Sequence, residues 1–226
     1  CIAAHPDNIT DSRMCIIDAE MRGGFEMMAK YPRSVTIFGS ARLTEENPIF
    51  TKVQNLAQKI ADIGYAVVTG GGYGLMGAAN RGAKISGKGA SLGINISLPF
   101  EQTLNDDLIE SVEFHHFFSR KVALAYSAEV FVFCPGGFGT LDEFFEILTL
   151  KQTRKIPNIP IILYGSSFWK PLEEFFEKVL LKEGNETISK EDIGLYLITD
   201  DDEEIIEIIK NAPVRSDISS THHLGQ

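Results

Sequence analysis

Residues 130–152 read Val-Phe-Val-Phe-Cys-Pro-Gly-Gly-Phe-Gly-Thr-Leu-Asp-Glu-Phe-Phe-Glu-Ile-Leu-Thr-Leu-Lys-Gln, and they commit the chain to a strand, a glycine turn and a helix in immediate succession. Val130 to Cys134 is apolar, β-favouring and short enough for a buried strand. Pro135, Gly136, Gly137 and Gly139 break that strand, because Pro cannot continue it and Gly admits conformations that other residues avoid. Thr140, with Glu143 three residues on, reads as an N-cap in a capping box. Phe144, Ile147, Leu148 and Lys151 then recur at helical spacing. Bare amides at a helix start, with the positive end of the helix dipole behind them, form a cradle for an anion. On this reading Asp142 and Glu143 lie in the first helical turn, beside any ligand held there.

The rest of the chain repeats the alternation. Residues 1–10 read as irregular, and 11–30 as a helix (Met14, Ile17, Met21, Phe25, Met28) that Gly23-Gly24 should bend or split. Strands are predicted over 34–39, 66–69, 90–97, 130–134, 161–164 and 195–199, with a short extended piece over 112–118. Helices are predicted over 48–63 (closed by Gly64), 75–86, 119–127, 168–183 and 201–211. Residues 98–111 read as a loop, and 212–226 as a polar tail. Near-continuous apolar strands alternating with helices predict an α/β fold, a doubly wound, mostly parallel sheet with helices on both faces. The expected division is an N-terminal helical extension (1–33), one Rossmann-like nucleotide-binding domain (34–211) and the tail (212–226). Ligands of such sheets sit beyond the carboxyl ends of the strands. The Gly39-Ser40 turn and both glycine clusters fall there and should converge on one crevice.

Bulk properties narrow the function. With 226 residues and 44% hydrophobic content there is ample material for one sizeable core. A formal net charge of −10 argues against a broad nucleic-acid face. No apolar run approaches a bilayer span, and no basic-then-apolar leader is visible. Cys1, Cys15 and Cys134 have neither metal-ligand spacing nor a pairing framework, which points to a reducing, cytoplasmic setting.

Several candidates have competing readings. Gly72 to Gly77 matches G-x-G-x-x-G between a strand and a helix, but the next strand ends Asn95-Ile96-Ser97, without the carboxylate that a dinucleotide's ribose requires. A cradle for the phosphate or ribose of a mononucleotide fits better, and close packing of a tight turn is the plain alternative. Arg120 offers a guanidinium for a phosphate or a base, or is half of a solvated pair with Lys121. Lys121 as a Schiff-base lysine has no cofactor pocket near it in sequence. Adjacent His115 and His116 point to opposite faces of an extended segment, which argues against a metal site. Cys134 reads as a small core side chain rather than a nucleophile, and Glu146 as a solvated or paired charge.

Taken together these residues resemble a known family. Pro135-Gly136-Gly137-Phe138-Gly139-Thr140-Leu141-Asp142-Glu143 is similar to the P-G-G-x-G-T-x-x-E signature of the LOG ("Lonely guy") family, the cytokinin riboside 5′-monophosphate phosphoribohydrolases. Many of its bacterial members carry a lysine decarboxylase label. Gly39-Ser40, Gly70-Gly71-Gly72-x-Gly74-Leu75-Met76-Gly77 and Arg120-Lys121 agree, so the resemblance runs from about Ser34 to Asn211. The pieces around Leu98–Gln102 and Phe114–Lys121 look like the longer bacterial branch. The chain departs from the family in having Asp142-Glu143 where Glu-Glu is frequent, and in its N-terminal helix.

The resemblance implies hydrolysis of the N-glycosidic bond of a nucleoside 5′-monophosphate to free base and ribose 5-phosphate, without a metal or other cofactor. It implies Glu143 and Arg120 as catalytic residues. Substrate and phosphate contacts would come from Gly39, Ser40, Gly71, Gly72, Met76, Glu101, Lys121, Gly136, Gly137, Phe138, Gly139, Thr140, Asp142 and Thr149. It also implies a homodimer or a higher homo-oligomer, with a nucleoside monophosphate as the partner and neither nucleic acid nor membrane. Relatives of this fold carry the molybdenum cofactor, so a non-catalytic nucleotide or cofactor carrier is the alternative reading.

Overall fold

A computed structural model describes residues 9–98, 103–184 and 186–214. Its strands are β1 (Ser34–Phe38), β2 (Ala66–Thr69), β3 (Ser91–Ile96), β4 (Glu110–Phe114), β5 (Val130–Phe133), β6 (Ile161–Tyr164) and β7 (Leu197–Thr199). All pair in parallel, in the order β4-β3-β2-β1-β5-β6-β7. The strand order reverses between β1 and β5, which places the crevice of a doubly wound sheet at their carboxyl ends.

Helices α1 (Ile9–Ala29), α2 (Pro48–Asp62), α3 (Leu75–Ser86), α4 (Phe117–Ala125), α5 (Phe138–Gln152), α6 (Ser166–Phe175) and α7 (Asp202–Asn211) cover both faces. Alternate strand residues face opposite sides. Val35, Ile37, Val67, Val130 and Val132 join α2, α3 and α7 in one apolar cluster, and Phe38, Val68, Ile94, Phe131 and Phe133 join α1, α4, α5 and α6 in the other. The sequence marks these helices locally. The Asn47 side chain accepts from the Ile49 amide ahead of Pro48 at the start of α2, and Asp201 caps α7.

Close approach of α2 and α3 rests on one small residue. A Cβ at Gly82 would drive into the Gln54 carbonyl oxygen and stand 2.9 Å from the Gln58 amide nitrogen. The α5 helix is rooted by aromatic packing instead. Phe144 lies 5.4 Å from both Phe133 and Trp169 and 5.9 Å from Tyr196, ring centre to ring centre. Each such pair contributes about 0.5–1.5 kcal/mol beyond area burial. That anchorage fixes the neighbouring Glu143.

Several expectations need correction. The first helix runs unbroken through Gly23-Gly24, because Gly24 is the point of contact: a Cβ there would be 2.8 Å from the Phe114 ring and 3.1 Å from Ala123 Cβ. Its buried stripe includes Glu20, Gly24, Met27 and Met28, whereas Met14 is exposed. The piece predicted as extended to residue 118 ends at Phe114, and α4 starts at Phe117, where bonds from α1 hold the turn. The single helix expected over 168–183 begins at Ser166, capped from a distance by Asp200, and closes with a π turn over Phe176–Leu180. A 3₁₀ turn at Lys190–Leu195, with a Ser189/Asp192 capping box, takes Leu195 from the strand expected over 195–199, which starts at Leu197. Cys134 is a free buried thiol, and Cys1 lies outside the described residues. Among the described residues no helix is long and apolar enough to cross a membrane.

Gly82→Ala should therefore cost about 1–3 kcal/mol by forcing α2 and α3 apart. Urea unfolding followed by circular dichroism measures this, and an unchanged midpoint would contradict the α2–α3 contact.

Candidate active site at the sheet switch point

Three strand exits meet at the carboxyl ends of β1, β2 and β5. The Ser40 amide donates to the Pro135 carbonyl at 3.0 Å, and the Leu75 amide donates to the Ser40 carbonyl at 2.9 Å. Gly74, at φ +66°, has no room for a side chain against the Ser40 and Ala41 backbone. A Cβ on Gly39 would be 2.9 Å from Leu75 Cβ and 3.3 Å from Cys134 Cβ. The expected convergence of Gly39-Ser40 and both glycine clusters is thus present. In the G-x-G-x-x-G stretch at least Gly74 serves close packing, the plainer of the two readings given for that motif.

The turn after β5 differs from that pattern. The helix starts at Phe138 with Gly137 as its N-cap, so Thr140 is its third residue rather than its cap. Asp142 and Glu143 consequently sit in the second turn, and no acidic residue occupies the first. A Cβ at Gly136 would collide with Thr140 Oγ1, which lets the threonine side chain fold back over the turn. A Cβ at Gly137 or Gly139 would meet nothing within 4 Å, and Gly137 has an ordinary φ of −87°. Neither packing nor strain requires glycine at those two positions. What glycine leaves there is open access to the Phe138 and Gly139 amides, ahead of the first intrahelical bond; the Thr140 amide already donates to the Gly137 carbonyl at 3.0 Å. Phe138, in the same turn, is 92% exposed.

One turn further along α5, Glu143 is 4% exposed and faces Arg120 of α4, with Oε1 4.0 Å from Nη1. Its Oε2 is buried with no hydrogen-bond partner among the described residues. Burial, opposed by Arg120 and Lys121, pushes the Glu143 carboxyl up to about 7. Arg120 is held in turn by its Nε, which donates to the Ile94 carbonyl at 2.9 Å. Its guanidinium spans Gly70: a Cβ there would be 2.7 Å from Nη2 and 2.8 Å from Met76 Sδ. The sites predicted at Glu143, Arg120 and Met76, with the Gly70–Gly72 turn, therefore adjoin one another.

Other predicted residues take different positions. Lys121 Nζ pairs with Asp142 Oδ2 at 2.9 Å and Glu146 Oε2 at 2.8 Å. Burial would lower the Lys121 ammonium, but the bonds to Glu146 and Asp142 outweigh it and hold the pKa above its ordinary value. A Schiff-base lysine must shed that proton, so this environment opposes such a role. Thr149 is exposed, six residues along α5 from Glu143, which is about 9 Å of helix rise. Ser40 spends its backbone on joining loops, while its Oγ accepts from the Arg42 amide at 3.0 Å. Glu101 lies outside the described residues. His115 and His116 both turn to Glu20, and among the described residues no group of three side chains could hold a metal ion.

Two contributors carried no motif. Buried Asn105 donates through Nδ2 to the Gly71 and Gly72 carbonyls at 3.1 and 2.9 Å and to Asn80 Oδ1 at 3.0 Å, tying the β2 turn to the loop before β4. Asn80 links on to Thr69, Ser91 and Leu92. A second concavity of about 510 Å³, lined by Asn158, Pro160 and Glu204 among others, lies at the amino end of β6, away from these groups.

The molecule is thus a doubly wound α/β protein with an open amide cradle and a buried acid–guanidinium pair on one crevice. Comparison with known proteins specifies it further. Residues 76–209 match the family described as possible lysine decarboxylase, and the chain belongs to that family, the LOG family. A cytokinin riboside 5′-monophosphate phosphoribohydrolase of Rhodococcoides fascians is 28% identical over 149 residues, 65% of this chain and 75% of that protein. A rice protein (Oryza sativa subsp. japonica) described as a probable cytokinin riboside 5′-monophosphate phosphoribohydrolase is 34% identical over 132 residues, 55% of this chain and 51% of its own length. The molybdenum cofactor carrier protein of Chlamydomonas reinhardtii superposes with a TM-score of 0.57 at 25% identity, over 79% of this chain and 96% of that one.

The site predicts a stability signature. Glu143 binds its proton more tightly in the folded chain than at its ordinary value of 4.5, so ionising it costs stability. That cost begins as the pH rises past 4.5 and is complete above about 7. Glu143→Gln, which keeps the shape and removes the charge, should raise the thermal midpoint at pH 8 by roughly 6–12 °C. The gain should shrink toward pH 5. A lower midpoint at pH 8 would show that pairing with Arg120 outweighs burial.

Proposed function

We propose that the chain hydrolyses the N-glycosidic bond of a nucleoside 5′-monophosphate, releasing free base and ribose 5-phosphate. The observation that carries this reading is the buried Glu143 carboxyl, with one oxygen unpartnered, facing Arg120 beside an open amide cradle. Membership of the LOG family and the activity for which its relatives are named support it.

Each group has a role that its surroundings favour. The first-turn amides around Gly137, Phe138 and Gly139, with Thr140, hold the 5′-phosphate. Cleavage of the bond from C1′ to the base nitrogen leaves positive charge on the ribose, as in O-glycoside hydrolysis. The Glu143 carboxylate stabilises that charge and takes a proton from the attacking water, whose oxygen bonds to C1′. Electrons of the broken bond pass to the base, and Arg120 offsets the developing negative charge by donating hydrogen bonds. Asp142, 2.9 Å from Lys121 Nζ, meets the ribose hydroxyls only as part of that ion pair. A decarboxylase reading is disfavoured by the bonds that keep Lys121 protonated. The cofactor-carrier reading needs the same cradle but gives no work to Glu143 and Arg120. As the family resemblance implies, we take the working unit to be at least a dimer. Phe117 and Phe118, each 55% exposed on α4, are apolar surface available for such contacts.

Incubation with AMP, GMP, CMP and UMP, followed by assay for free base, is the direct test. Release of base from at least one of them is expected, and Glu143→Gln or Arg120→Ala should reduce it by at least about 10²–10³-fold. Because the ionised carboxylate is the active form, kcat/KM should fall as the pH drops below about 7 and level off above it. Near-normal turnover in either variant, or a flat profile from pH 5 to 8, would remove this mechanism.

A further inference from the structure

The N-terminal helix α1 contributes a buried carboxylate to a place where α4 has no cap of its own. Glu20 is 6% exposed. Its Oε1 accepts from the His115 amide at 2.6 Å and lies 3.2 Å from His115 Nδ1. Its Oε2 accepts from Ser119 Oγ at 2.6 Å and lies 3.2 Å from His116 Nδ1. Burial alone would raise the Glu20 carboxyl, but bonds from Ser119, the His115 amide and His116 outweigh it and hold the group below its usual range.

His116 is the N-cap residue of α4, and it makes no side-chain capping bond. From another element, the Glu20 carboxylate instead ties the residue before that cap, through the His115 amide, to the third helical residue, through Ser119 Oγ, with its negative charge near the positive end of the α4 dipole. One turn along α1, Gly24 lets the two elements touch without a gap, against Phe114 and Ala123. The α4 helix is only nine residues long, and it carries both cations of the site, Arg120 and Lys121, directly after Ser119. Core packing of Ala123, Leu124 and Ala125 anchors the far end of this short helix and the Ile94 carbonyl holds the Arg120 side chain, while the Glu20 bonds fix its start.

We propose that Glu20 is a positioning residue, which sets α4 and through it the Arg120 guanidinium over Gly70 and against Glu143. This rests on the reading of Arg120 as the group that steadies the departing base. The 5′-phosphate cradle lies on α5, which Glu20 does not touch. Losing Glu20 should accordingly weaken an interaction made in the transition state and spare ground-state binding of the nucleotide.

The test uses Glu20→Ala, Glu20→Gln and Arg120→Ala, singly and with Glu20→Ala combined with Arg120→Ala. Turnover of whichever nucleoside monophosphate the wild type cleaves is measured on protein confirmed as folded by circular dichroism. Glu20→Ala should lower kcat about 10- to 100-fold, the range expected for a reacting group misplaced by about 1 Å, with KM changed less than about threefold. Glu20→Gln, which still accepts from the His115 amide and Ser119, should recover part of the loss. In the Arg120→Ala background, Glu20→Ala should have almost no further effect, because a residue acting through Arg120 has nothing left to act on.

Hydrogen exchange by mass spectrometry supplies a readout independent of activity. Glu20→Ala should speed exchange of the amides at 117–125 and leave those at 138–152 protected. Wild-type kcat in folded Glu20→Ala, or full additivity with Arg120→Ala, overturns the proposal. Unchanged exchange over 117–125 overturns Glu20's hold on α4 whatever the reaction. A wild type that releases base from no nucleotide, with exchange changed as stated, overturns the functional reading and the catalytic part of the proposal, while the structural link stands.

Discussion

A carboxyl group moved out of water is driven to take up a proton, and Glu143 sits in such a place at the switch point of a parallel sheet, where burial outweighs the attraction of Arg120. The arrangement is costly to fold and useful once folded. It keeps the group near the middle of its titration at neutral pH, with one oxygen unpartnered. The surroundings resist the tendency of such a group to swing into solvent. Phe144 is locked among Phe133, Trp169 and Tyr196, so α5 cannot roll, and the Ile94 carbonyl holds Arg120.

Glycine plays two opposite parts in the same crevice. At Gly39, Gly70 and Gly74 it permits backbone or side chains to come within contact distance, bringing three strand exits together. At Gly137 and Gly139 it leaves space, and the amides behind are open to a ligand. The two uses are indistinguishable as letters. The sequence shows clusters of the same residue at strand ends, and only three-dimensional neighbours separate packing from access.

Much of the fold was legible because the strands are short apolar runs and the helices between them carry caps such as Asn47 and Asp201. Boundaries failed where distant residues decided them. Asp200 starts α6 from β7's side, and Glu20 holds the turn ahead of α4 from the N-terminal helix. Glu143 and Arg120 were legible through motif and charge, and their proximity followed from topology. Asp142 and Glu143 both lie one turn later than the sequence suggests, because Thr140 resembles a cap while Gly137 takes that position without a side-chain bond. Asn105 gave no signal: an asparagine in a polar stretch looks like loop chemistry, and its three bonds to the β2 turn region depend on folding. Glu20 left a faint trace, a lone acid on the stripe that also carries Gly24 and Met27.

The central claim is spatial: one ligand spans from the amides at the start of α5 to the carboxyl of Glu143. A crystal structure of the protein with ribose 5-phosphate, the non-base product, examines that span directly. The phosphate should lie within hydrogen-bonding distance of the amides of residues 137–139, with the sugar's C1 carbon turned toward Glu143 and Arg120. A phosphate bound elsewhere, or a sugar screened from Glu143 by protein, would contradict the account.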